Sequence, residues 1–323
     1  MNLPIPSSLI HPETAGHAHS RARRCLLVTS LHFLLSYQCT FECDHCFVYS
    51  GPFAKGTFTL AQIRRALDAA LKVGSIDQVY FEGGEATLFY PLLIESIRAA
   101  RAVGLQVGIV TNAFFATSEE DAELWLRPLT ELGIIDLSIS DDAFHSNLEE
   151  SPAKRAIQAG RKLGLPVASL CIEKPSVRRD TPRAKGEPVV GGGVMFRGRA
   201  ADKLTHGLPT REWRAFDECP HEELENPGRV HVDPYGNIHL CQGLSIGNMW
   251  QTELSELLWS FDARTHPICA PLIEGGPAQL VREHNVQHGD SYVDACHLCY
   301  TARKALLSRF PQYLTPRQVY GLE

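Results

Sequence analysis

"SYQCTFECDHCFVYS" (residues 36–50) crowds Cys39, Cys43 and Cys46 into eight residues with the spacing C-x3-C-x2-C. Zinc in a closed site takes four ligands, and the nearby fourth candidate is His45. His45 stands directly between Cys43 and Cys46, where its ring is hard to bring to the same tetrahedral centre. Three free thiols would be an unusual use of such a cluster. Thiolates also hold iron in iron–sulfur clusters, and three of them on a four-iron cube leave one iron open for chemistry.

The surroundings of this stretch set the fold class. "LHFLLSY" (31–37) reads as a strand and "LAQIRRALDAALKV" (60–73) as an amphipathic helix. The alternation continues with "DQVYFEGG" (77–84) and "PLLIESIRAARAV" (91–103), then "LQVGIVTN" (105–112) and "SEEDAELWLRPLTEL" (118–132). It goes on through "IIDLSIS" (134–140), "SPAKRAIQAGRKL" (151–163) and "PVASLCIE" (166–173), with "VVGGGVMFRGR" (189–199) as a candidate sixth strand after a basic connection. Strand–helix alternation builds an α/β fold on a parallel sheet, whose chemistry gathers at the C-terminal strand ends. Near residue 205 the rhythm changes. "RVHVDPYGNIHLC" (229–241) reads as a hairpin turning at "DPYGN", while "TELSELLWSF" (252–261) and "CYTARKALLSRF" (299–310) read as helices.

Composition excludes several classes. Of 323 residues, 44% are hydrophobic and 21% charged, with a net charge of −6, as expected of a globular protein with a sizeable core. Basic clusters are short, so nucleic acid is not an expected partner. "RARRCLLVTSLHFLL" (21–35) imitates a signal peptide but contains His32, lacks a small-residue cleavage site and runs into the cysteines. No apolar run reaches the length of a membrane span, and a cytoplasmic, reducing setting is expected. There, ten cysteines point to metal before disulfides. Seven fall into two groups, the second being Cys219, Cys241, Cys296 and Cys299; Cys25, Cys171 and Cys269 are left over.

C-x3-C-x2-C after a first strand resembles the signature of the radical S-adenosylmethionine (SAM) enzymes. The resemblance implies a 4Fe-4S cluster on Cys39, Cys43 and Cys46, with SAM chelating the fourth iron and yielding a 5′-deoxyadenosyl radical. It implies further SAM contacts as well. His45 takes the place of the family's aromatic residue beside adenine, and Gly83, Gly84 and Glu85 in "YFEGGEATL" match its GGE motif. Asn112 ends the third strand. Ser138 and Ser140 lie on the polar face of "DLSISDDAFH", and Arg197 or Arg199 could meet a carboxylate of SAM or substrate. The implied fold is a partial (β/α)6 TIM-like barrel over residues 31–205. Residues 1–30 form a segment expected to be partly disordered, and residues 206–323 a small cysteine-rich α+β domain.

On spacing alone, the second cysteine group suits zinc as well as iron–sulfur. "CP…PYGNIHLC…IGNM" resembles the hairpin of SPASM and Twitch extensions. With no cysteine after Cys299, the one-cluster Twitch form fits better, implying a second, auxiliary 4Fe-4S cluster. Cys269 falls between the pairs and could replace one ligand. Members of this group include dehydrogenases of sugar-like alcohols and peptide-modifying enzymes, served by an electron donor such as flavodoxin or ferredoxin. The roughly 30 residues before the first strand are too few for a leader-peptide domain, which favours a small-molecule substrate over a peptide. An oxidation needs a general base, for which His145 and Asp142 are candidates, and Cys171 is a candidate hydrogen donor. A non-catalytic metal-binding or electron-transfer module is the reading of another class. It would not need the ordered succession of cysteine loop, GGE and polar fourth strand.

Overall fold

The computed structural model describes residues 27–146, 150–179 and 188–322; the N-terminal stretch with Cys25 lies outside them. The first half alternates β1 (Ser30–Ser36), α1 (Leu60–Val73), β2 (Gln78–Gly83), α2 (Tyr90–Ala102), β3 (Gln106–Thr111), α3 (Glu119–Leu132), β4 (Asp136–Ser140), α4 (Pro152–Lys162) and β5 (Val167–Leu170). There follow β6 (Ser176–Arg179), β7 (Pro188–Gly191), α5 (Arg199–Lys203), β8 (Arg211–Glu212), β9 (Arg229–Val232), β10 (Asn237–Cys241) and β11 (Leu244–Asn248). The chain continues through α6 (Leu254–Ser260), α7 (Cys269–His284), β12 (Ser291–Tyr292) and α8 (Ala295–Leu306). Among the described residues, no helix is long and apolar enough to cross a membrane.

Local chemistry explains the helix starts. Thr59 caps α1 in a reciprocal box: Gln62 N–H donates to Thr59 Oγ1, and Thr59 N–H donates to Gln62 Oε1 at 2.8 Å. Ser118 and Ser151 cap α3 and α4 by the one-way bond alone, accepting from Asp121 N–H and Lys154 N–H, each side-chain oxygen contributing about 1 kcal/mol. The helices cover one face of the sheet, where Leu31, Phe33, Val79, Phe81, Val107, Ile109, Leu137 and Ile139 are completely buried. Period-two alternation sends His32, Tyr80, Glu82, Ser138 and Ser140 to the other face.

The main sheet has eight strands in the order β11-β10-β9-β1-β2-β3-β4-β5. The stretch from β9 to β5 is parallel, as a partial barrel requires, and β10 and β11 return antiparallel. One expectation is corrected. "VVGGGVMFRGR" does not add a sixth strand beside β5, because β7 pairs antiparallel with β6 in a separate ribbon. Gly192 and Gly193 have φ of 105° and 76°, outside the extended region, so no strand continues through them. The sixth parallel strand is β9, which joins at the β1 edge, so the sheet crosses the boundary read near residue 205.

Asp233 fixes that junction. Its Oδ1 accepts from the N–H groups of Tyr235 (3.0 Å) and Asn237 (2.9 Å), closing the expected turn between β9 and β10. Its Oδ2 accepts from Asn237 Nδ2 (2.9 Å) and Tyr37 OH (3.1 Å) and lies 3.2 Å from His239 Nε2. Asp233 is completely buried. Replacing it by Ala leaves these donors in a dry site, so Asp233→Ala is expected to lower stability by about 3–5 kcal/mol. Urea unfolding of the anaerobic protein measures this, and a loss below about 1 kcal/mol would contradict the assigned role.

Candidate active site and second cysteine site

The loop from β1 to α1 carries the first three cysteines. Arg199 holds it by its carbonyls: Nη1 donates to Cys43 O (2.9 Å), Nη2 to Ser50 O (2.7 Å), and its own N–H to Cys46 O (2.8 Å). Both guanidinium ends are therefore spent on the loop, so Arg199 shapes the site rather than reaching for a ligand carboxylate. The sulfurs accept further bonds, from Phe41 N–H to Cys39 Sγ (3.4 Å) and from Ser50 N–H to Cys46 Sγ (3.3 Å). Asn112 Nδ2 donates to Cys39 Sγ (3.6 Å) and Thr40 Oγ1 (3.1 Å), so it too braces the first cysteine.

Burial first, and then the neighbouring negative groups, push the thiols of Cys39 and Cys43 up to about 11 and about 12. Thiolates so placed repel one another unless a positive centre lies among them. Three free thiols beside an open cleft fit an iron–sulfur cluster with one iron left for another ligand.

The GGE turn packs on this loop. Gly83 has φ of 136°, and a side chain on Gly84 would meet Gln38 O at 2.2 Å. Gly84 N–H donates to Ser36 O (2.6 Å) and Glu85 N–H to Gln38 O (3.0 Å). The close partner that demands glycine is the protein backbone, not a ligand as the sequence suggested. Glu85 is buried, and its carboxylate takes four protein donors. Oε1 accepts from Thr87 N–H (2.9 Å), Thr87 Oγ1 (2.6 Å) and Thr111 Oγ1 (2.7 Å), and Oε2 from Asn112 N–H (2.7 Å). Oε2 keeps one acceptor position for a ligand ammonium. Burial pushes the Glu85 carboxyl upward against those four bonds.

A cleft joins these parts. Cys39, Cys43, His45, Cys46, Gly83, Gly84, Glu85, Asn112, Ser140 and His145 all line it. His45 stacks on Phe144 with ring centroids 4.3 Å apart. Asp142 Oδ1 lies 2.8 Å from His145 Nδ1. Burial opposes the charged form of Asp142, but the bond and charge of His145 outweigh it and hold the carboxyl below its ordinary value. Ser138 is engaged with Asp136 Oδ2 at 2.8 Å, and neither it nor Cys171, exposed beyond β5, lines the cleft. The sequence reading missed Glu82, His32 and His231, which gather on the cleft face of the sheet. The alternation in "SLHFLLS" and "QVYFEG" carried the signal for the first two.

The second group assembles as expected. Cys219, Cys241, Cys296 and Cys299 line one small cavity with Arg197 and Arg303. Asp294 caps α8, setting Cys296, Cys299 and Arg303 three and four residues apart on one helix face. Arg197 Nη1 donates to Cys241 Sγ and to Glu222 Oε1, both at 2.9 Å. Arg303 is 1% exposed, its Nη1 donates to Gln242 O (3.1 Å), and its Nε has no partner. It forms no ion pair among the described residues. A buried cation so placed calls for negative charge nearby, which metal-bound thiolates supply. Cys269, buried at the start of α7, does not line the cavity.

Residues 33–172 match the Radical SAM superfamily. YydG of Bacillus subtilis, whose name assigns it to peptide biosynthesis, is 27% identical over 129 residues, 40% of each chain. A tungsten-containing aldehyde ferredoxin oxidoreductase cofactor-modifying protein of Pyrococcus furiosus is 29% identical over 105 residues, 32% of this chain and 28% of its own. The matched stretch thus spans less than half of either relative. The solved structure of BtrN in complex with AdoMet and 2-DOIA aligns with a TM-score of 0.52 and 15% identity. That alignment covers 84% of this chain and 92% of BtrN, a likeness of fold.

Glu85→Gln turns one acceptor into a donor facing another donor. The variant is expected to lose about 1–3 kcal/mol of stability even without ligand. Urea unfolding tests this beside SAM calorimetry. An unchanged midpoint with weakened SAM binding would make Glu85 a ligand contact alone.

Proposed function

We propose that this chain, whose residues 33–172 match the Radical SAM superfamily, is a radical SAM enzyme that oxidises a small molecule in a dehydrogenase-type reaction, the four-cysteine site holding an auxiliary 4Fe-4S cluster as electron acceptor. The observation that carries this reading is the pair of buried guanidiniums of Arg197 and Arg303 beside the four thiols. They hold fixed positive charge where thiolates and an added electron put negative charge, which favours the reduced form of an iron centre there. When bound, the cluster of Cys39, Cys43 and Cys46 with SAM supplies a 5′-deoxyadenosyl radical that removes a hydrogen atom from substrate.

The chain's own part is the proton. Asp142 holds His145 at Nδ1, which leaves Nε2 as the base. His145 lines the cleft and receives the substrate hydroxyl proton. Loss of a hydrogen atom, a proton and one electron to the auxiliary site converts an alcohol carbon to a carbonyl. His45 on Phe144 offers a flat surface for adenine, and the open position on Glu85 receives the ammonium of SAM. Reducing equivalents come from a flavodoxin- or ferredoxin-type donor. The small ligand bound to BtrN supports a small-molecule substrate. A second reading, cross-linking or epimerisation of a peptide, is favoured by the name of YydG.

Changing Cys296 and Cys299 to Ala is expected to cut iron from about eight to about four per chain after anaerobic reconstitution. The variant is expected to cleave SAM still, yet to form no oxidised product. Zinc in the parent protein beside only about four irons would end the oxidative reading. Asp142→Asn is expected to slow product formation by about 10²–10⁴-fold while 5′-deoxyadenosine still forms; an unchanged product rate would exclude the His145 base.

A further inference from the structure

The cleft face carries a cluster that the proposed oxidation does not use. His32 on β1, Glu82 on β2 and His231 on β9 each offer one ligand atom, and these atoms lie within 4.8 Å of one another. His32 and His231 are direct cross-strand partners, and Glu82 pairs with Leu34, two residues along the same face of β1. The three side chains therefore stand on adjacent strands in the middle of the sheet, where the backbone fixes their spacing. Their side chains are 15%, 18% and 7% exposed.

We propose that His32, Glu82 and His231 bind one divalent transition-metal ion, making a third metal centre separate from both cysteine sites. His231 Nε2 lies 3.0 Å and His32 Nδ1 lies 3.6 Å from the same oxygen, Glu82 Oε1. A hydrogen-bonded triad would explain the shorter distance but not the longer one. His32 Nδ1 is buried with no hydrogen-bond partner, although it faces the carboxylate. Ligand atoms about 2.0–2.1 Å from one tetrahedral ion stand about 3.3 Å apart, and the two distances bracket that value.

Two imidazoles and one carboxylate form the donor set of zinc sites that keep a coordination position open, and equally suit cobalt or ferrous ion. Tyr80 stacks on His32, with centroids 4.6 Å apart and planes at 13°, and so fixes the ring. Glu82 also lines the cleft shared with Cys39, Cys43 and Cys46, which puts this centre beside the space for substrate. An oxygen of a substrate hydroxyl or carboxylate is the ligand class the open coordination position takes. The inference stands whether the reaction is an oxidation or redox-neutral. His45, Asp142 and His145 form a similar group, but its short Asp142–His145 bond and its place in the first cleft belong to the site already described.

Cobalt(II) is the probe. Protein reconstituted anaerobically with iron and sulfide, so that both cysteine sites are filled, is equilibrated with cobalt(II) and dialysed. About one cobalt per chain is expected above the iron, with an X-ray absorption spectrum of nitrogen and oxygen neighbours that includes imidazole. His32→Gln and His231→Gln are each expected to weaken cobalt binding by about 100-fold at unchanged iron content. No cobalt retained by the parent, sulfur neighbours in its spectrum, or undiminished binding in both variants overturns the site. If a variant loses its iron, the parent spectrum alone decides.

Discussion

Arg197 and Arg199 leave one short segment and grip different thiol sites. Arg197 donates to Cys241 Sγ in the second site, while Arg199 ties the carbonyls of Cys43 and Ser50 in the first loop. Gly198 between them has φ of 60°, and a side chain there would meet Phe47 Cα at 2.5 Å, so the segment lies flat on the first cysteine loop. The two sites are thus held on one short piece of backbone. β1 supplies the second tie, paired with β2 and its GGE turn on one side and with β9 on the other. Tyr37, one residue past β1, reaches Asp233 at the turn that leads to β10 and Cys241. A shift at either thiol site therefore strains the other through two independent connections.

Much of this was legible in the sequence, because most of the first half is local. Capping residues, period-two strands and the C-x3-C-x2-C spacing act within a few positions of themselves, and each element from β1 to α4 lies within a residue or two of its reading. Docking of β9 on β1 was not legible, since it joins residues almost 200 positions apart and follows no local pattern. α7 carries no plain helical pattern in the sequence, since Pro271 and Gly275-Gly276-Pro277 interrupt it, and the helix is in fact broken at Gly275 and Gly276.

The site shows a different limit. The family resemblance pointed to Glu85, Asn112 and Arg199 together, and all three lie around the first cysteine loop. It could not tell how much hydrogen-bonding capacity the protein itself consumes. Glu85 keeps one acceptor position, Asn112 holds Cys39 and Thr40, and Arg199 is spent on carbonyls. Satisfaction of buried polar groups depends on the whole structure. His32, Glu82 and His231 escaped notice for the same reason, as their meeting depends on β9 arriving beside β1.

The two thiol sites differ most in the charges around them. At the first, Glu85 and Asp142 add negative field to Cys39 and Cys43, and the guanidinium of Arg199 points at carbonyls. At the second, Arg197 and Arg303 bring two buried cations against Cys241, Cys296 and Cys299, offset in part by Glu222 and Asp294. Extra negative charge is therefore disfavoured at the first site and favoured at the second, and a low-dielectric interior enlarges the difference. An iron centre held by Cys39, Cys43 and Cys46 would thereby be favoured as electron donor, and one held by the second group as acceptor. The proposed oxidation needs that order of potentials. Here it would come from Glu85 and Asp142 at the first site and from Arg197 and Arg303 at the second.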